Sequence, residues 1–196
     1  MKPFFIYTYK NSLYIKKLNQ NKRLLIKNAY TYTVNVDEND NINIFCIDNF
    51  GKLIYISNIN SKWKRRTLCK LFNLTKNIEN IKCYNIKNQF NLFITEKYHI
   101  LDNSYKVTHI NLEKNKYNNV KKYSFKNIIK TNSIYKIDID KYDNIIFEYT
   151  YKNINNTFQN KLIFNYPLKS WTPIKNTNQN IKYNIKRYSN KLIYKI

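Results

Sequence analysis

The sequence predicts an all-β fold, a propeller-like stack of four-stranded antiparallel sheets with about four blades when partial ones are counted. Three observations favour this class. Apolar and polar residues alternate in short runs, as they do in half-buried strands. Turns rich in Asn and Asp separate these runs. A segment of about 50 residues also recurs along the chain, which is typical of propeller blades.

The best-defined repeat lies within residues 31–80. One alternating strand ends at Val36, a turn covers 37–40, and a second strand covers 42–47. Gly51 is the only glycine of the chain. It is expected to close the next turn, because glycine readily takes the left-handed conformation that such hairpins need. A third strand, "KLIYISNI", follows it.

The fourth strand of this repeat is expected to run from Trp63 to about Leu71. An alternative is open for residues 67–81, where a short helix would also fit the spacing of Leu68, Leu71, Phe72 and Ile78.

A second copy lies within residues 133–180. Asp37 matches Asp140 in an ungapped alignment, "KLIF" at 161–164 matches "KLIY" at 52–55, and Trp171 matches Trp63. The chain uses few residue types, so the rare aspartates and tryptophans carry more weight than matches of Asn or Ile. Both tryptophans are therefore expected at the same place in their repeats.

A weaker copy lies within 81–132, where Lys87 replaces the aspartate and no tryptophan follows. Partial copies occur at 11–18 and 190–196. We expect a single domain over 1–196 with approximate units 1–30, 31–80, 81–132, 133–180 and 181–196. About 17 strands are expected, with Asn and Asp supplying the turns in place of glycine.

The pattern V-x-V-D-x-x-x-N-I-x-I-F-C-I-D-x-x-G-K-L-I-Y, residues 34–55, is followed by a tryptophan. It resembles the repeat of uncharacterised propeller-like proteins of low-GC bacteria, which are distantly similar to sialidase-type, BNR-like propellers. The resemblance covers roughly residues 30–196. No Asp-box of the form S-x-D-x-G-x-T-W is present, and the four arginines are scattered, so the resemblance implies the fold rather than sialidase activity.

The net charge is +23, and no carboxylate precedes Asp37 or follows Glu148. One explanation is an anionic partner, either nucleic acid or a membrane surface. The other is drift in an A/T-rich genome, because Asn, Ile, Lys and Tyr make up more than half of the chain. Lysine greatly outnumbers arginine, although arginine forks are the usual choice for phosphate recognition. Both explanations stay open.

The candidate binding residues are Trp63, Lys64, Arg65 and Arg66, within "KWKRRTLCK" at 62–70. Basic residues beside an aromatic ring suit phosphate contacts and base stacking on single-stranded nucleic acid. The alternative is structural: Trp63 packs between blades, and the lysines and arginines form a solvated edge strand that discourages pairing with other chains.

No catalytic residue, metal site or cofactor is predicted. The acidic clusters at 37–40 and 138–143 fall at turns, where Asp binds backbone amides, although a carboxylate pair of a glycosidase is the alternative. His99 and His109 lack a nucleophile motif. One glycine cannot form a phosphate-binding loop. Three cysteines without metal-ligand spacing are expected to be reduced and partly buried.

The sequence thus predicts a non-enzymatic binding or scaffold module in the cytoplasm, with no transmembrane segment. Its ligand is not identified by the sequence, and a protein and a glycan are the candidates. One alternative is a glycan-processing, sialidase-like propeller enzyme or its remnant. Another is an electrostatic binder of nucleic acid or anionic surfaces. Open blade edges also predict closure between the termini or self-association.

Overall fold

The computed structural model describes residues 4–37, 39–59, 62–99, 103–114, 116, 120–153 and 156–174. Every regular element in these ranges is a β-strand, and the strand pairs are antiparallel. The predicted all-β, antiparallel class is therefore confirmed. Within the same ranges no helix is long and apolar enough to cross a membrane. The chain divides into two compact units, the first reaching Asn85 and the second starting at Ile86.

The first unit contains two sheets. One has the strand order β1-β2-β3, and the other has the order β4-β5-β6-β7. The strands are β1 (Phe4–Tyr9), β2 (Ser12–Lys17), β3 (Arg23–Lys27), β4 (Ala29–Val36), β5 (Ile42–Asp48), β6 (Lys52–Ile59) and β7 (Lys62–Lys70), followed by β8 (Ile78–Ile86). The chain between β7 and β8 is not helical. The strand prediction for 63–71 is confirmed, and the alternative helix is wrong.

Aliphatic side chains from both sheets form one core in the first unit. Its members include Ile6, Leu13, Ile15 and Ile26 from the β1-β2-β3 sheet, and Ile42, Ile44, Ile54 and Ile56 from the second sheet. Because strand residues alternate between faces, each sheet covers the apolar face of the other and keeps a second face outside this core.

Asn and Asp supply most turns, as predicted. Eight of the eleven described non-glycine residues with positive φ are Asn or Asp. Asp37 Oδ1 accepts from the backbone N–H of Asn39 at 3.1 Å and of Asn41 at 2.9 Å. The Asp140 carboxylate makes the equivalent contacts in the second copy. These contacts confirm that the two matched aspartates form turns.

The second unit contains β9 (Gln89–His99), β10 (Ser104–Glu113), β11 (Lys121–Ile129), β12 (Lys136–Ile139), β13 (Ile145–Asn153), β14 (Asn156–Asn165) and β15 (Ser170–Pro173). β9, β10 and β11 pair in chain order, and so do β13, β14 and β15, while β12 pairs with β13. One bridge, Ile128 to Tyr151, joins β11 to β13. The described residues thus hold fifteen strands, and the partial repeat at 190–196 lies outside them.

The two tryptophans occupy equivalent positions in their sheets. Trp63 pairs with Asn58, which lies two residues beyond the pair Ile44–Ile56. Trp171 pairs with Phe164, which lies two residues beyond the matching pair Phe147–Leu162. The two rings therefore lie at matching positions in their strand pairs, whereas the repeat itself stays a prediction.

The match of "KLIF" to "KLIY" is wrong in register. Leu162 occupies the place of Ile56, whereas the sequence alignment assigns it to Leu53, three residues earlier. A shift by an odd number of residues moves a side chain to the other face of a sheet. The β13–β14 hairpin is longer than the β5–β6 hairpin, and a match of letters does not reveal where the extra residues fall.

Candidate ligand-binding surfaces

The predicted basic residues lie on β7, the last strand in the order β4-β5-β6-β7. Lys64, Arg65 and Arg66 are exposed, and Trp63 is half-buried. Lys64 pairs with Ser57 and Arg66 with Tyr55, whereas Trp63 and Arg65 occupy the alternate positions. The four predicted residues are therefore divided between the two faces of the sheet.

Trp63 packs against the aliphatic core of the first unit. Its ring lies on the face opposite Lys64 and Arg66. A base stacked on this indole could not reach both cations directly, so the arrangement favours the structural interpretation of Trp63. Lys64 and Arg66 still place two positive charges on one face of an edge strand.

Three of the predicted acidic groups have partners close to them in their own turn or sheet. Glu96 forms an ion pair with Lys106 at 2.7 Å. The carboxylates of Asp37 and Asp140 accept turn amides. No group of three His, Cys, Asp or Glu side chains in the described ranges could hold a metal ion. Cys46 is buried and Cys69 and Cys83 are half-buried, so the expected burial of the cysteines is confirmed.

His109 is fully buried among aromatic rings. Its imidazole stacks on Phe93, with centroids 4.6 Å apart, and on Tyr123, with centroids 5.4 Å apart. Nδ1 accepts a hydrogen bond from Trp171 Nε1 at 3.1 Å, and Nε2 lies 3.1 Å from Asn91 Oδ1. Burial lowers the pKa of His109 to about 3. A neutral imidazole held on both nitrogens serves packing rather than proton transfer.

A second surface, absent from the sequence predictions, covers one face of β1 and β2. Phe5 pairs with Lys16, Tyr7 with Tyr14 and Tyr9 with Ser12. The intervening residues Ile6, Leu13 and Ile15 are buried in the core, so the paired set faces away from it. We call Phe5, Tyr7, Tyr9, Tyr14 and Lys16 the tyrosine face.

Lysines lie close to the rings of the tyrosine face. The Tyr7 and Tyr14 rings stack with centroids 5.9 Å apart. Lys22 Nζ lies 5.3 Å from the Tyr14 centroid and 5.5 Å from that of Tyr9, which Lys10 Nζ also approaches to 5.5 Å. These distances are within the range of cation–π contacts. The face therefore combines flat apolar rings with positive charge.

An open cavity of about 870 Å³ adjoins the tyrosine face. It is bounded by residues 5–8 of β1, Lys16 and Lys17 of β2, and residues 18–21 of the following turn. Side chains of consecutive strand residues point to opposite faces, so four consecutive lining residues place the cavity along β1 itself. Its volume suits a small molecule or one unit of a polymer.

The turn that bounds this cavity is rich in side-chain amides, from Asn19, Gln20 and Asn21. Gln20 N–H donates to the carbonyl of Lys17 at 3.2 Å. Asn19 has a φ of 58°, a left-handed conformation that Asn tolerates. The turn thus presents hydrogen-bond donors and acceptors beside aromatic rings and two lysines.

A sequence signal for this surface exists in the first 17 residues. Phe5, Tyr7 and Tyr9 alternate along one strand, and Tyr14 and Lys16 alternate along the next. This period places all five on one face. The residues on the opposite face of these two strands are equally apolar. The alternation alone therefore does not show which face lies outside and which lies in the core.

No protein-family model matches the chain. A search of curated proteins likewise finds no match.

Proposed function

We propose that this chain is a non-enzymatic binding module that holds an anionic polymer on its first unit. The observation that carries the proposal is the charge of the β1-β2-β3 sheet. The first 36 residues, which supply all three strands, contain seven basic residues and no acidic one. Lys16 and Lys27 occupy outward strand positions of this sheet, and Lys10 and Lys22 lie over tyrosine rings of the same face. Such a cluster of cations attracts polyanions, whose counterions are released on binding.

The tyrosine face supports a binding surface at this sheet in preference to other basic regions. Lysine–ring contacts also occur in the second unit, as between Lys141 and Tyr142, but Lys10 and Lys22 lie over rings of a face that adjoins a cavity. The adjoining cavity is bounded by Lys16 and Lys17. Positive charge, apolar rings and a concave surface therefore occur together.

We also propose the finer architecture, in which the sheets are blades of a propeller-like stack. The equivalent positions of Trp63 and Trp171 support it, and so does the core shared by successive sheets of the first unit. A cytoplasmic location stays part of the proposal. The glycan-processing alternative gains no support, because Asp37 and Asp140 bind their own turns.

The test is the salt dependence of binding to inorganic polyphosphate. The logarithm of the binding constant should fall linearly with the logarithm of salt concentration, by about 0.7–0.9 for each neutralised phosphate. Replacing Lys10, Lys16 and Lys22 by Gln should lower that slope by about two to three.

A matched control distinguishes a binding surface from positive charge that results only from drift in an A/T-rich genome. Lys122, Lys130 and Lys152 are exposed lysines of the second unit, and their replacement by Gln removes the same net charge. Their loss should leave the slope within about one unit of the wild-type value. An equal loss from both triple variants would contradict a localised site and favour drift.

The β7 residues are tested in the same assay. Arg65→Ala with Arg66→Ala should weaken polyphosphate binding and reduce its salt dependence if β7 belongs to the surface. Unchanged binding in this double variant would remove the β7 residues from the proposal and leave the tyrosine face.

A further inference from the structure

We infer that the tyrosine face and its cavity form a site for single-stranded nucleic acid, in which unpaired bases stack on the rings and lysines contact the phosphates. This inference rests on the proposed function, because it names the polymer that the first unit would bind. It adds that the ligand must present flat aromatic bases as well as negative charge.

The aromatic rings of β1 are spaced at a regular distance. Phe5, Tyr7 and Tyr9 occur at every second residue of β1, which places them about 6.6–6.8 Å apart on one face. Tyr14 widens this row across to β2, where it stacks on Tyr7. A row of aromatic rings on a sheet surface is a stacking platform for successive bases, and it tolerates any base sequence.

Lysine side chains lie near both ends of this row of rings. Lys16 pairs with Phe5 at one end of the ring row, and Lys10 lies at Tyr9 at the other end. Lys22 lies beside the row, near both Tyr14 and Tyr9. Cations therefore flank the rings along the strand direction. A chain whose bases follow the rings would carry its phosphates past these lysines.

The cavity beside the tyrosine face is lined by three kinds of chemical group. Phe5 and Tyr7 supply aromatic walls, Lys16 and Lys17 supply charge, and the amide-rich turn supplies donors and acceptors. An uncharged glycan would also stack on tyrosines, but it has no negative charge to interact with the lysines. β1, β2 and β3 contain no carboxylate to bind sugar hydroxyls. An unpaired nucleotide uses all three kinds of group.

The experiment compares three probes on the full chain by fluorescence anisotropy at one salt concentration. They are a 20-nucleotide oligothymidine, the same strand annealed to oligoadenosine, and polyphosphate of similar charge. Wild type should bind the single strand more tightly than the duplex, because paired bases cannot stack on the rings.

Tyr7→Leu with Tyr14→Leu should weaken oligothymidine binding about five- to hundredfold and change polyphosphate binding by less than about twofold. Tyr7→Phe with Tyr14→Phe keeps the rings and should bind like wild type. Tyr142→Leu, at a tyrosine of the second unit that is 65% exposed, is the matched control and should also bind like wild type.

Each other outcome has a defined meaning. Equal weakening on both polymers, with an unchanged melting temperature, would overturn base stacking and leave the polyanion proposal standing. Binding of polyphosphate without any binding of oligothymidine would do the same. Failure to bind either polymer would overturn both proposals.

A second measurement applies if the double Leu variant does not fold. Wild-type protein is cross-linked by light to oligodeoxynucleotides that carry 5-iodouracil, which reacts with aromatic rings stacked on it. The cross-linked peptides should fall within residues 4–17. Cross-links confined to the second unit would overturn the inference.

Discussion

Trp171 Nε1 donates a hydrogen bond to His109 Nδ1 at 3.1 Å, and this contact fixes the state of the imidazole. Indole nitrogen is only a donor, so Nδ1 must be the acceptor and Nε2 must carry the proton. Nε2 lies 3.1 Å from Asn91 Oδ1, which accepts that proton. A second proton on the ring would have no acceptor, which agrees with the lowered pKa.

We therefore expect His109 to stay neutral far below the usual histidine range. Spectra of ¹⁵N-labelled imidazoles should show one ring with its proton on Nε2 from pH 8 to about pH 4, because burial lowers its pKa to about 3. A ring at this position that titrates near pH 6.5 would contradict a buried imidazole with hydrogen bonds at both nitrogens.

The same shift predicts how stability depends on pH. In the unfolded chain this histidine becomes protonated below about pH 6.5. In the folded chain it becomes protonated only below about pH 3. Unfolding therefore takes up a proton, and acid favours it. The free energy of unfolding should fall by about 1–2 kcal/mol between pH 6.5 and pH 5, where most carboxylates do not yet titrate.

His109→Gln isolates this contribution in urea denaturation at each pH. Glutamine does not ionise, so the curve of the variant should be flatter than that of wild type over this interval, whatever its absolute stability. Parallel curves for the two proteins would show that His109 does not cause the slope.

Trp171 should contribute more stability than its equivalent Trp63. Trp171→Phe keeps an aromatic ring but leaves His109 Nδ1 without its donor in a buried place, which costs about 1–3 kcal/mol. Trp63→Phe is the matched control, because Trp63 packs against aliphatic side chains of the first core. Chemical denaturation should show the larger loss for Trp171→Phe, and a larger loss for Trp63→Phe would contradict the role of the hydrogen bond.

Asp140 should act as a turn residue rather than a catalytic acid. Its Oδ1 accepts from the N–H groups of Tyr142 and Asn144, both at 2.8 Å. Asp140→Ala removes a charged acceptor from two amides and should cost about 1–3 kcal/mol in the free energy of unfolding. Asp138→Ala, the control in the preceding strand, should cost less.

The outcome that favours the enzyme interpretation is different in kind. Loss of glycan turnover in Asp140→Asn, at unchanged stability, would show that this carboxylate does chemistry beyond its turn. Asn retains an acceptor oxygen for the turn amides, so this variant separates the two roles.

Sequence reasoning predicted the local structure well because its signals are local. The turn at 37–40 depends on one carboxylate and two amides within four residues, and its copy after Asp140 is the same. The strand at 42–47 is a short, mostly apolar segment that is buried along its whole length and bounded by two turns. Such features need no knowledge of what lies across the sheet.

Long-range relationships were predicted less well. The KLI strands match in letters but differ by three residues in register, because register depends on hydrogen bonds across a hairpin of changed length. The basic segment of β7 is continuous in sequence but divided between two faces. The tyrosine face required knowing that Ile6, and not Tyr7, meets the second sheet.

Gly51 provides a strict test of the turn that ends β5. Its φ is 76°, and its N–H donates to the carbonyl of Asp48 at 2.9 Å. Its own carbonyl accepts from Leu71 N–H at 2.8 Å, which brings the segment after β7 against the turn. A Cβ at this position would overlap the carbonyl oxygen of Phe72, so alanine requires one of the two backbones to move.

Gly51→Ala should therefore lower the free energy of unfolding by at least about 2 kcal/mol, since the left-handed conformation alone costs about 1–2 kcal/mol for a residue with a Cβ. Asn88→Gly is the reverse control, at a φ of 58°, and should change stability by no more than about 0.5 kcal/mol because glycine accepts that conformation. Thermal and urea denaturation of both variants measure the difference. An alanine variant as stable as wild type would mean that β6 and the segment after β7 are not packed as closely as described.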